Sequence, residues 1–424
     1  MENLIKAIRG MNDILPSETF LWQHAEKTMR QVLHSFGFQE IRVPILEKTE
    51  LFQRTIGEVT DIVEKEMYTF LDRNNESLTL RPEITASCVR AGIEHGLFYN
   101  QIQRLWYFGP CFRYERPQKG RYRQFYHLGA EVFGLEGPDV DAELIQTVAK
   151  IYEKLGLRSH IQLQINTIGS RESRAHYRTH LVDYFTKYLH DLDEDSRRRL
   201  TTNPLRILDS KNPVMQDIIE NAPKMLEFLD AESEKHFETL KDYLTHLNIA
   251  FTVNPRLVRG LDYYTKTVFE WVTTELGAQG TVCGGGRYDG LIEQLGGKPT
   301  PALGYAIGLE RTILLLQQTM KNNTYHPHIY FIVDGENATK TAMTLSNNIR
   351  DAIENVRVIM HCGGGNIKNQ FKKADKSGAA IALILGEQEL NNGTIGIKFL
   401  REDKAQISLD QDQLIEFLKT SLKI

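Results

Sequence analysis

Between Leu78 and Val272 the chain offers one short strand-like run after another, separated by turns and few long helices. A doubly wound parallel sheet needs a crossover helix after each strand, so this alternation predicts an α+β fold instead, an antiparallel sheet flanked by helices. The runs are Leu78–Leu80, Leu105–Phe108, Phe125–Phe133, Ile161–Ile165, Phe251–Val253 and Val268–Val272. Ahead of them, Phe20, Leu21, Ala25, Met29, Val32, Leu33 and Phe36 recur at helical spacing between Ser17 and Phe36, and Gly37 follows where a helix end prefers glycine. Phe38 to Val43 then alternates as a strand and stops at Pro44, which has no amide donor.

The pattern changes twice more. From about Gly169 to Asn248 it becomes helical and charged, with the basic run Arg197-Arg198-Arg199, which predicts an inserted helical subdomain whose basic run is exposed charge. Asn322 to His328 reads as a linker. Beyond it Ile329–Val333, a helix to about Asn355, Val356–Met360, another helix and Ile381–Leu385 alternate as βαβαβ. A chain of 424 residues exceeds what one hydrophobic core organises. The expected organisation is a core over 1–168, an insertion over 169–248, the rest of the core over 249–321, and a separate α/β domain over 328–424.

Composition excludes more than it assigns. With 51 Lys and Arg against 55 Asp and Glu the net charge is -4, so a nucleic-acid partner must meet a local basic surface. From His326 onward twelve basic residues balance twelve acidic ones. Nowhere do eighteen apolar residues run together, and the N-terminal stretch lacks a signal-peptide core, which predicts a soluble cytoplasmic protein with no membrane part. Cys88, Cys111, Cys283 and Cys362 lie far apart without a CxxC pair and are expected as reduced thiols. The Gly297-Lys298 pair is followed by Pro299 and has Ile292 where a phosphate loop needs its first glycine; HExxH, GxSxG and kinase signatures are absent.

The densest chemical cluster is Arg113 to Arg123, where five basic side chains and Glu115 share a strand–loop–strand stretch with Pro117 and Gly120. Such a loop suits polyphosphate, with Tyr114 and Tyr122 as stacking faces, and a solvated hairpin is an equal alternative. Arg81-Pro82-Glu83, Arg259 to Tyr264, Cys283 to Gly290 and Gly304 to Arg311 also set arginine beside glycine or a carboxylate. Taken singly, Gly284–Gly286 reads as a tight turn, Arg311 as a charge near the start of an apolar helix Ile307–Leu316, and Glu83 or Glu131 as structurally paired.

The order of these segments is informative. The helix leading to Pro44, the Phe112–Glu115 strand with its basic loop and the Gly308–Arg311 helix start resemble motifs 1, 2 and 3 of class II aminoacyl-tRNA synthetases. Ile8 to Asp13, Thr79 to Glu83, the Arg116–Phe125 loop, Leu257 to Tyr264 and Gly284 to Asp289 resemble the histidyl-tRNA synthetase family. The resemblance implies a class II antiparallel sheet, a helical insertion and a C-terminal anticodon-binding domain. It implies an ATP-dependent ligase that activates L-histidine to histidyl-adenylate with loss of pyrophosphate, then transfers histidine to the 3′ end of tRNA(His) with release of AMP. Magnesium and a homodimer formed through motif 1 belong to the same implication.

By that resemblance Arg113 and Arg259 are catalytic, both at the α-phosphate. Arg121 and Arg311 bind the outer phosphates, and Glu115 accepts from the adenine amino group. Glu83 and Thr85 hold the α-ammonium; Glu131 and Tyr264 meet the imidazole nitrogens; Tyr263 and Arg259 complete the histidine site. Arg116 and Gln118 meet the tRNA acceptor end. The chain departs from the family at His127, where a glutamine usually contacts histidine; it can donate one hydrogen bond or alter histidine affinity and its pH dependence. Two other readings compete. Against a non-catalytic regulator, such as the subunit supporting ATP phosphoribosyltransferase, stand the retention of Arg113, Arg259, Glu83 and Arg311 and of a C-terminal α/β domain that this regulator lacks. A pseudo-synthetase that senses uncharged tRNA would bind tRNA without ATP turnover.

Overall fold

The computed structural model describes residues 4–57, 60, 62–259, 261, 263–277, 280–320 and 326–422. Gly260 and Asp262 of the Arg259–Tyr264 segment and Asn322–Tyr325 of the expected linker lie outside the described residues. The chain divides into two compact units, Met1–Asn322 and Asn323–Ile424.

The first unit opens with α1 (Thr19–Ser35), β1 (Gln39–Glu40), β2 (Leu46–Lys48), α2 (Thr49–Ile56), β3 (Tyr68–Leu71), β4 (Ser77–Leu80) and α3 (Thr85–Glu94). The hairpin β5 (Gln103–Phe112) and β6 (Gln124–Phe133), then α4 (Pro138–Lys154) and β7 (Gln162–Thr167), follow. Helices α5 (Arg171–Thr186), α6 (Glu194–Thr202), α7 (Gln216–Glu220) and α8 (Ala231–His246) lead to β8 (Phe251–Val253), β9 (Thr265–Val272), β10 (Thr281–Arg287), α9 (Leu291–Gln294), β11 (Ala302–Gly308) and α10 (Leu309–Thr319). Eight strands make one sheet in the order β1-β5-β6-β11-β10-β9-β7-β8. Its inner pairs are antiparallel and only the edge pairs, β1 with β5 and β8 with β7, are parallel. β2, β4 and β3 form a small separate sheet.

Alternation sorts the two faces of the large sheet. Trp106, Leu128, Ala130 and Val132 join the buried face of α1, with Leu21, Trp22, Ala25, Met29, Val32 and Leu33, in one core. Leu105, Tyr107 and Phe133 join a second core with Ile84, Val89 and Tyr263. The insertion has its own apolar centre around Tyr177, Leu181, Phe185, Ile207 and Met215, whereas Phe237, Leu240 and Leu244 of α8 sit in the main core.

Three local expectations are corrected. The strand expected over Phe38–Val43 shrinks to Gln39–Glu40, because the Val43 and Pro44 carbonyls accept from Arg81 Nη1 at 2.9 and 3.1 Å rather than from a neighbouring strand. Gly284–Gly286 form no turn but lie in β10, near the middle of the sheet, where bulk rather than bending demands glycine: a Cβ on Gly284 would overlap the Arg259 guanidinium, and one on Gly285 the Gly304 carbonyl. Ile307 and Gly308 are the last two residues of β11, and the helix expected from Ile307 begins at Leu309.

In the second unit β12 (Ile329–Val333), α11 (Glu336–Ala352), β13 (Val358–Met360), α12 (Ile367–Lys376) and β14 (Ile381–Leu385) precede α13 (Glu387–Asn391), β15 (Thr394–Phe399), β16 (Ile407–Asp410) and α14 (Leu414–Ser421). The sheet order is β13-β12-β14-β15-β16, parallel over its first three strands and antiparallel beyond. Ile395 and Ile397 give β15 its buried face. No helix among the described residues is long and apolar enough to cross a membrane.

One buried polar cluster ties the first unit together. Asp141 of α4 and Arg287 of β10 are both essentially inaccessible, and Arg287 Nε meets Asp141 Oδ1 as an ion pair at 2.7 Å without the alignment of a hydrogen bond. His236 Nε2 of α8 lies 2.7 Å from Asp141 Oδ2, and Thr267 Oγ1 of β9 donates to the same oxygen at 2.7 Å. Arg287 also donates to the Leu135 and Gly137 carbonyls. Removing one partner leaves the other charge buried and uncompensated, so Asp141→Asn is expected to lower stability by roughly 3–5 kcal/mol. Urea unfolding reads this as a lower midpoint at unchanged slope; an unmoved midpoint would dismiss the pair as a determinant of stability.

Candidate active site

β6 and β11, joined at Glu131↔Gly304 and His127↔Gly308, form the floor of a cleft on one face of the sheet. Of the residues singled out in the sequence, Glu83, Thr85, Arg113, Glu115, Arg121, His127, Glu131, Arg259, Tyr263, Tyr264 and Arg311 all line it. Arg116 and Gln118 do not: they are exposed on the loop between β5 and β6, where the Gln118 and Arg121 amides donate to each other's carbonyls and Gly120 takes φ +74°.

The closed end is built around Glu131. Thr85 Oγ1 and Tyr107 OH donate to its Oε1 at 2.8 and 2.7 Å, and Tyr288 OH to its Oε2 at 2.5 Å. Burial pushes its carboxyl up to about 8 despite these donors. Gly304 lies against that carboxyl, and any Cβ there would overlap it. Glu83, at the start of α3, accepts from the Ala86 amide at 2.9 Å through Oε1, while its buried Oε2 has no hydrogen-bond partner. Burial raises its pKa as well. The rings of Tyr263 and Tyr264 pack 4.7 Å apart, and burial keeps both phenols protonated.

The open end is built from guanidiniums. Arg113 Nε donates to the Pro82 carbonyl at 2.9 Å and its head lies 5.3 Å from the Phe125 ring centre. Arg311 donates from Nε to the Gly120 carbonyl at 2.9 Å and from Nη1 to the Thr281 carbonyl at 2.5 Å. Arg121 pairs with Glu115, with Glu66 at 3.6 Å, and Arg259 pairs with Glu270 across the face of Tyr264. The buried Nε of Arg259 has no hydrogen-bond partner. His127 lies between the ends, with Nδ1 3.8 Å from Cys111 Sγ. Burial, and then Arg113, Arg311, Arg81 and Arg259, lower its pKa to about 3, so the ring is neutral.

Several residues fall differently from the sequence reading. Arg81 is spent on the Val43, Pro44 and Pro110 carbonyls and Arg287 on Asp141, so neither faces the cleft. Tyr107, Glu270 and Glu310 were given no role by sequence reasoning, yet Tyr107 holds Glu131, Glu270 holds Arg259 and Glu310 lines the cleft while accepting from the Tyr126 amide at 2.9 Å. For Tyr107 and Glu270 the only signal is strand alternation, which gives a face but no partner, whereas Glu310 stands in the Gly308–Arg311 segment at the start of α10. Among the described residues no three metal-ligating side chains cluster.

Comparison with known proteins places the chain in a family. The family described as Histidyl-tRNA synthetase matches residues 10–312, and the Anticodon binding domain matches 328–421. A Histidine--tRNA ligase of Hydrogenovibrio crunogenus is 57% identical over 426 aligned residues, covering 100% of this chain and 99% of the relative. The apo crystal structure of Staphylococcus aureus histidyl-tRNA synthetase superposes with a TM-score of 0.82 at 37% identity, covering 98% of this chain and 100% of that one. A Bacillus halodurans structure described as an ATP phosphoribosyltransferase regulatory subunit/histidyl-tRNA synthetase shares the fold, with a TM-score of 0.63 at 21% identity over 87% of this chain and 96% of that one.

The raised carboxyl of Glu131 predicts a pH dependence of the empty protein. Below its ordinary value of 4.5 the carboxyl is protonated whether the chain is folded or not; between 4.5 and about 8 only the unfolded chain ionises. The stabilising contribution is therefore complete at low pH and lost as pH rises through that window. Thermal unfolding without ligands should show a falling midpoint between about pH 5 and pH 8, with a shallower fall in Glu131→Gln. Parallel profiles would mean that Glu131 is already ionised at the lower pH.

Proposed function

Because the chain belongs to the histidyl-tRNA synthetase family, we propose that the cleft seats histidine at its closed end and ATP along its arginines. The chain is an ATP-dependent histidine–tRNA ligase, and the assignments that follow are of its residues. The observation that carries them is a complementary pair of orphans: Glu83 Oε2 and Arg259 Nε are buried, oppositely charged and lack hydrogen-bond partners. A zwitterionic amino acid supplies an ammonium for one and an anion for the other.

In the first step a carboxylate oxygen of histidine forms a bond to the α-phosphorus of ATP and the bond to pyrophosphate breaks. The substrate is its own nucleophile, so the protein aligns the two and meets the charge that develops. Arg113 and Arg259 take the α-phosphate. Arg121 and Arg311 take the departing phosphates. Glu115 accepts from the adenine amino group, a role that requires Arg121 to leave it first. Thr85, with its proton committed to Glu131, keeps lone pairs for the ammonium beside Glu83. Glu131 and Tyr264 address the ring nitrogens, with Tyr263 backing Tyr264. His127, being neutral, adds no charge to repel the ammonium and offers it an acceptor. Apolar analogues are rejected because they leave Glu131 unpaired. Magnesium would enter with the ATP phosphates, needing few protein ligands; Glu310 is the cleft carboxylate suited to it, and the ion would supply further neutralisation of phosphate charge.

In the second step the ester forms between histidine and a hydroxyl of the tRNA 3′ end, and AMP leaves. Arg116 and Gln118 belong at the acceptor end. Residues 1–168 and 249–321 make the catalytic core, 169–248 the insertion and 328–424 the anticodon-binding domain. The reading includes a cytoplasmic setting and a homodimer, supported by the apolar side chains Ile45, Leu46, Phe70 and Leu71 exposed beside Pro44 and on the small sheet. A regulator that binds histidine without charging tRNA is set aside by the whole-length similarity to a ligase.

Purified protein should exchange labelled pyrophosphate into ATP with histidine and with no other amino acid. Arg259→Ala should cut that exchange by roughly 10²–10³-fold. Folded protein without exchange would remove the assignment. Sedimentation at micromolar concentration should give a dimer; a monomer throughout would remove that part.

A further inference from the structure

A glutamine carries a donor and an acceptor on separate atoms of its amide, whereas a neutral imidazole owns one ring proton, and the nitrogen that holds it decides what the other can do. His127 on β6 is such a ring. It lines the cleft, and its Nδ1 is 3.8 Å from the sulfur of Cys111 on β5. The contact follows from register. Cys111 pairs with Phe125 and Gly109 with His127 across the antiparallel strands, which makes Cys111 and His127 diagonal neighbours on one face of the sheet. Opposite His127, Gly109 contributes no side chain, and the Arg81 guanidinium fills the place where a Cβ would stand. The Phe125 ring meets the imidazole in a T-shaped contact at 4.9 Å and carries the Arg113 head over its face.

Both partners are neutral. Burial pushes the Cys111 thiol up to about 12, and burial with the surrounding arginines lowers the His127 ring to about 3, so no thiolate–imidazolium pair forms. A thiol is a weak donor and its sulfur a weak acceptor, so chemistry alone permits either direction for the bond. The rest of the surroundings choose one. Cys111 is fully buried and does not line the cleft, so Nδ1 is the inward nitrogen. Arg113, Arg311, Arg81 and Arg259, the charges that depress the ring, have only N–H groups to offer, as does the α-ammonium assigned beside Glu83. A proton on Nε2 would set donor against donor. A proton on Nδ1 is accepted by sulfur inside the sheet and leaves Nε2 a lone pair.

We propose that Cys111 is a positioning residue of the amino-acid site: its sulfur holds the His127 proton on Nδ1, so that Nε2 accepts from the α-ammonium of bound histidine. The proposal deepens the reading of the cleft as a histidine site and rests on it, in particular on an ammonium within reach of His127. Cys111 itself touches no substrate. It acts through the ring, by disfavouring the tautomer whose outward N–H would confront the ammonium. The ammonium takes no part in the bonds made and broken during activation, so its contact with Nε2 is the same before and during the reaction. Such a contact contributes to binding rather than to turnover.

Full-length protein labelled with ¹⁵N in its histidine rings, with unlabelled histidine bound, reports the tautomer directly, because protonated and bare ring nitrogens resonate far apart. The His127 signals are those missing from His127→Gln, and they should show the proton on Nδ1. Cys111→Ala should move it to Nε2 and raise the histidine KM in pyrophosphate exchange about tenfold. Its kcat and ATP KM should stay within about twofold of wild type, which also reports a folded variant. Cys111→Ser, which keeps an acceptor, should hold the proton on Nδ1 and recover most of the loss. With His127→Gln already in place, Cys111→Ala should change the histidine KM less than about twofold, as expected of residues that act through one contact. A wild-type proton on Nε2 would overturn the proposal, and so would an unchanged histidine KM in Cys111→Ala. An equal loss in the His127→Gln background would overturn it by making Cys111 a packing residue. Exchange absent from wild type would instead sink the histidine site on which the proposal rests, whatever the ring nitrogens show.

Discussion

The cleft exists because two neighbouring strands in the middle of the sheet carry no side chains where it needs room. β10 and β11 present Gly284 and Gly304 at the points where the Arg259 guanidinium and the Glu131 carboxyl lie against the sheet. A methyl group at either would occupy space those groups now fill, and the obstruction on the other side is fixed. Arg259 is held by Glu270 and Tyr264, and Glu131 by three hydroxyls. Glycine in a strand interior usually weakens it. Here the strands are flanked on both sides by antiparallel partners, and the lost packing is offset by the layers of apolar side chains on the opposite face.

Above that floor the guanidiniums are held in two different ways. Arg113 donates to the Pro82 carbonyl and Arg311 to the Gly120 and Thr281 carbonyls, whose dipoles orient a guanidinium. Arg121 and Arg259 rest on the carboxylates Glu115 and Glu270. A polyphosphate reaching Arg121 or Arg259 must therefore share the guanidinium with its carboxylate or release it. Glu115 is both the holder of Arg121 and the acceptor assigned to the adenine amino group, so a base able to donate there competes directly for the carboxylate. A base presenting an acceptor instead would face it unpaired, and discrimination follows from the penalty for an unmet buried group.

Much of this architecture is legible in the chain. Helical spacing from Phe20 to Phe36 gives α1, alternation from Phe125 to Phe133 gives β6, and the basic hairpin loop falls between two strands as its composition implies. The residues that the family resemblance marks are gathered into one cleft apart from Arg116 and Gln118. What escapes is partnership. Glu270 and Tyr107 lie in ordinary alternating runs, and nothing local says that one will meet an arginine eleven residues earlier and the other a glutamate on the next strand. Burial of Gly284–Gly286 in a central strand is set by what lies above them, which a tight-turn reading of three glycines does not contain.

Arg259 and Arg287 make the limit plain. Both sit beside glycine and ahead of tyrosines, and both read as ligand-facing from their neighbours. The fold sends Arg259 into the cleft and Arg287 through the sheet to Asp141, where it is sealed from solvent. Side-chain direction in a strand reverses with each residue, so for Arg287 the decision rests on register, set by pairing with β9 and β11 rather than by the local sequence, whereas Arg259 lies outside any strand and is held by Glu270 and Tyr264. The charged segments of the insertion obey the same logic. A run of three arginines draws the eye yet turns two of them to its own loop and to Glu64, whereas three arginines spread over eight residues of α5 share a face because a helix brings every third or fourth residue together. Positive charge gathers on one surface only where the fold lines it up, which is a property of the helix face and not of the basic run.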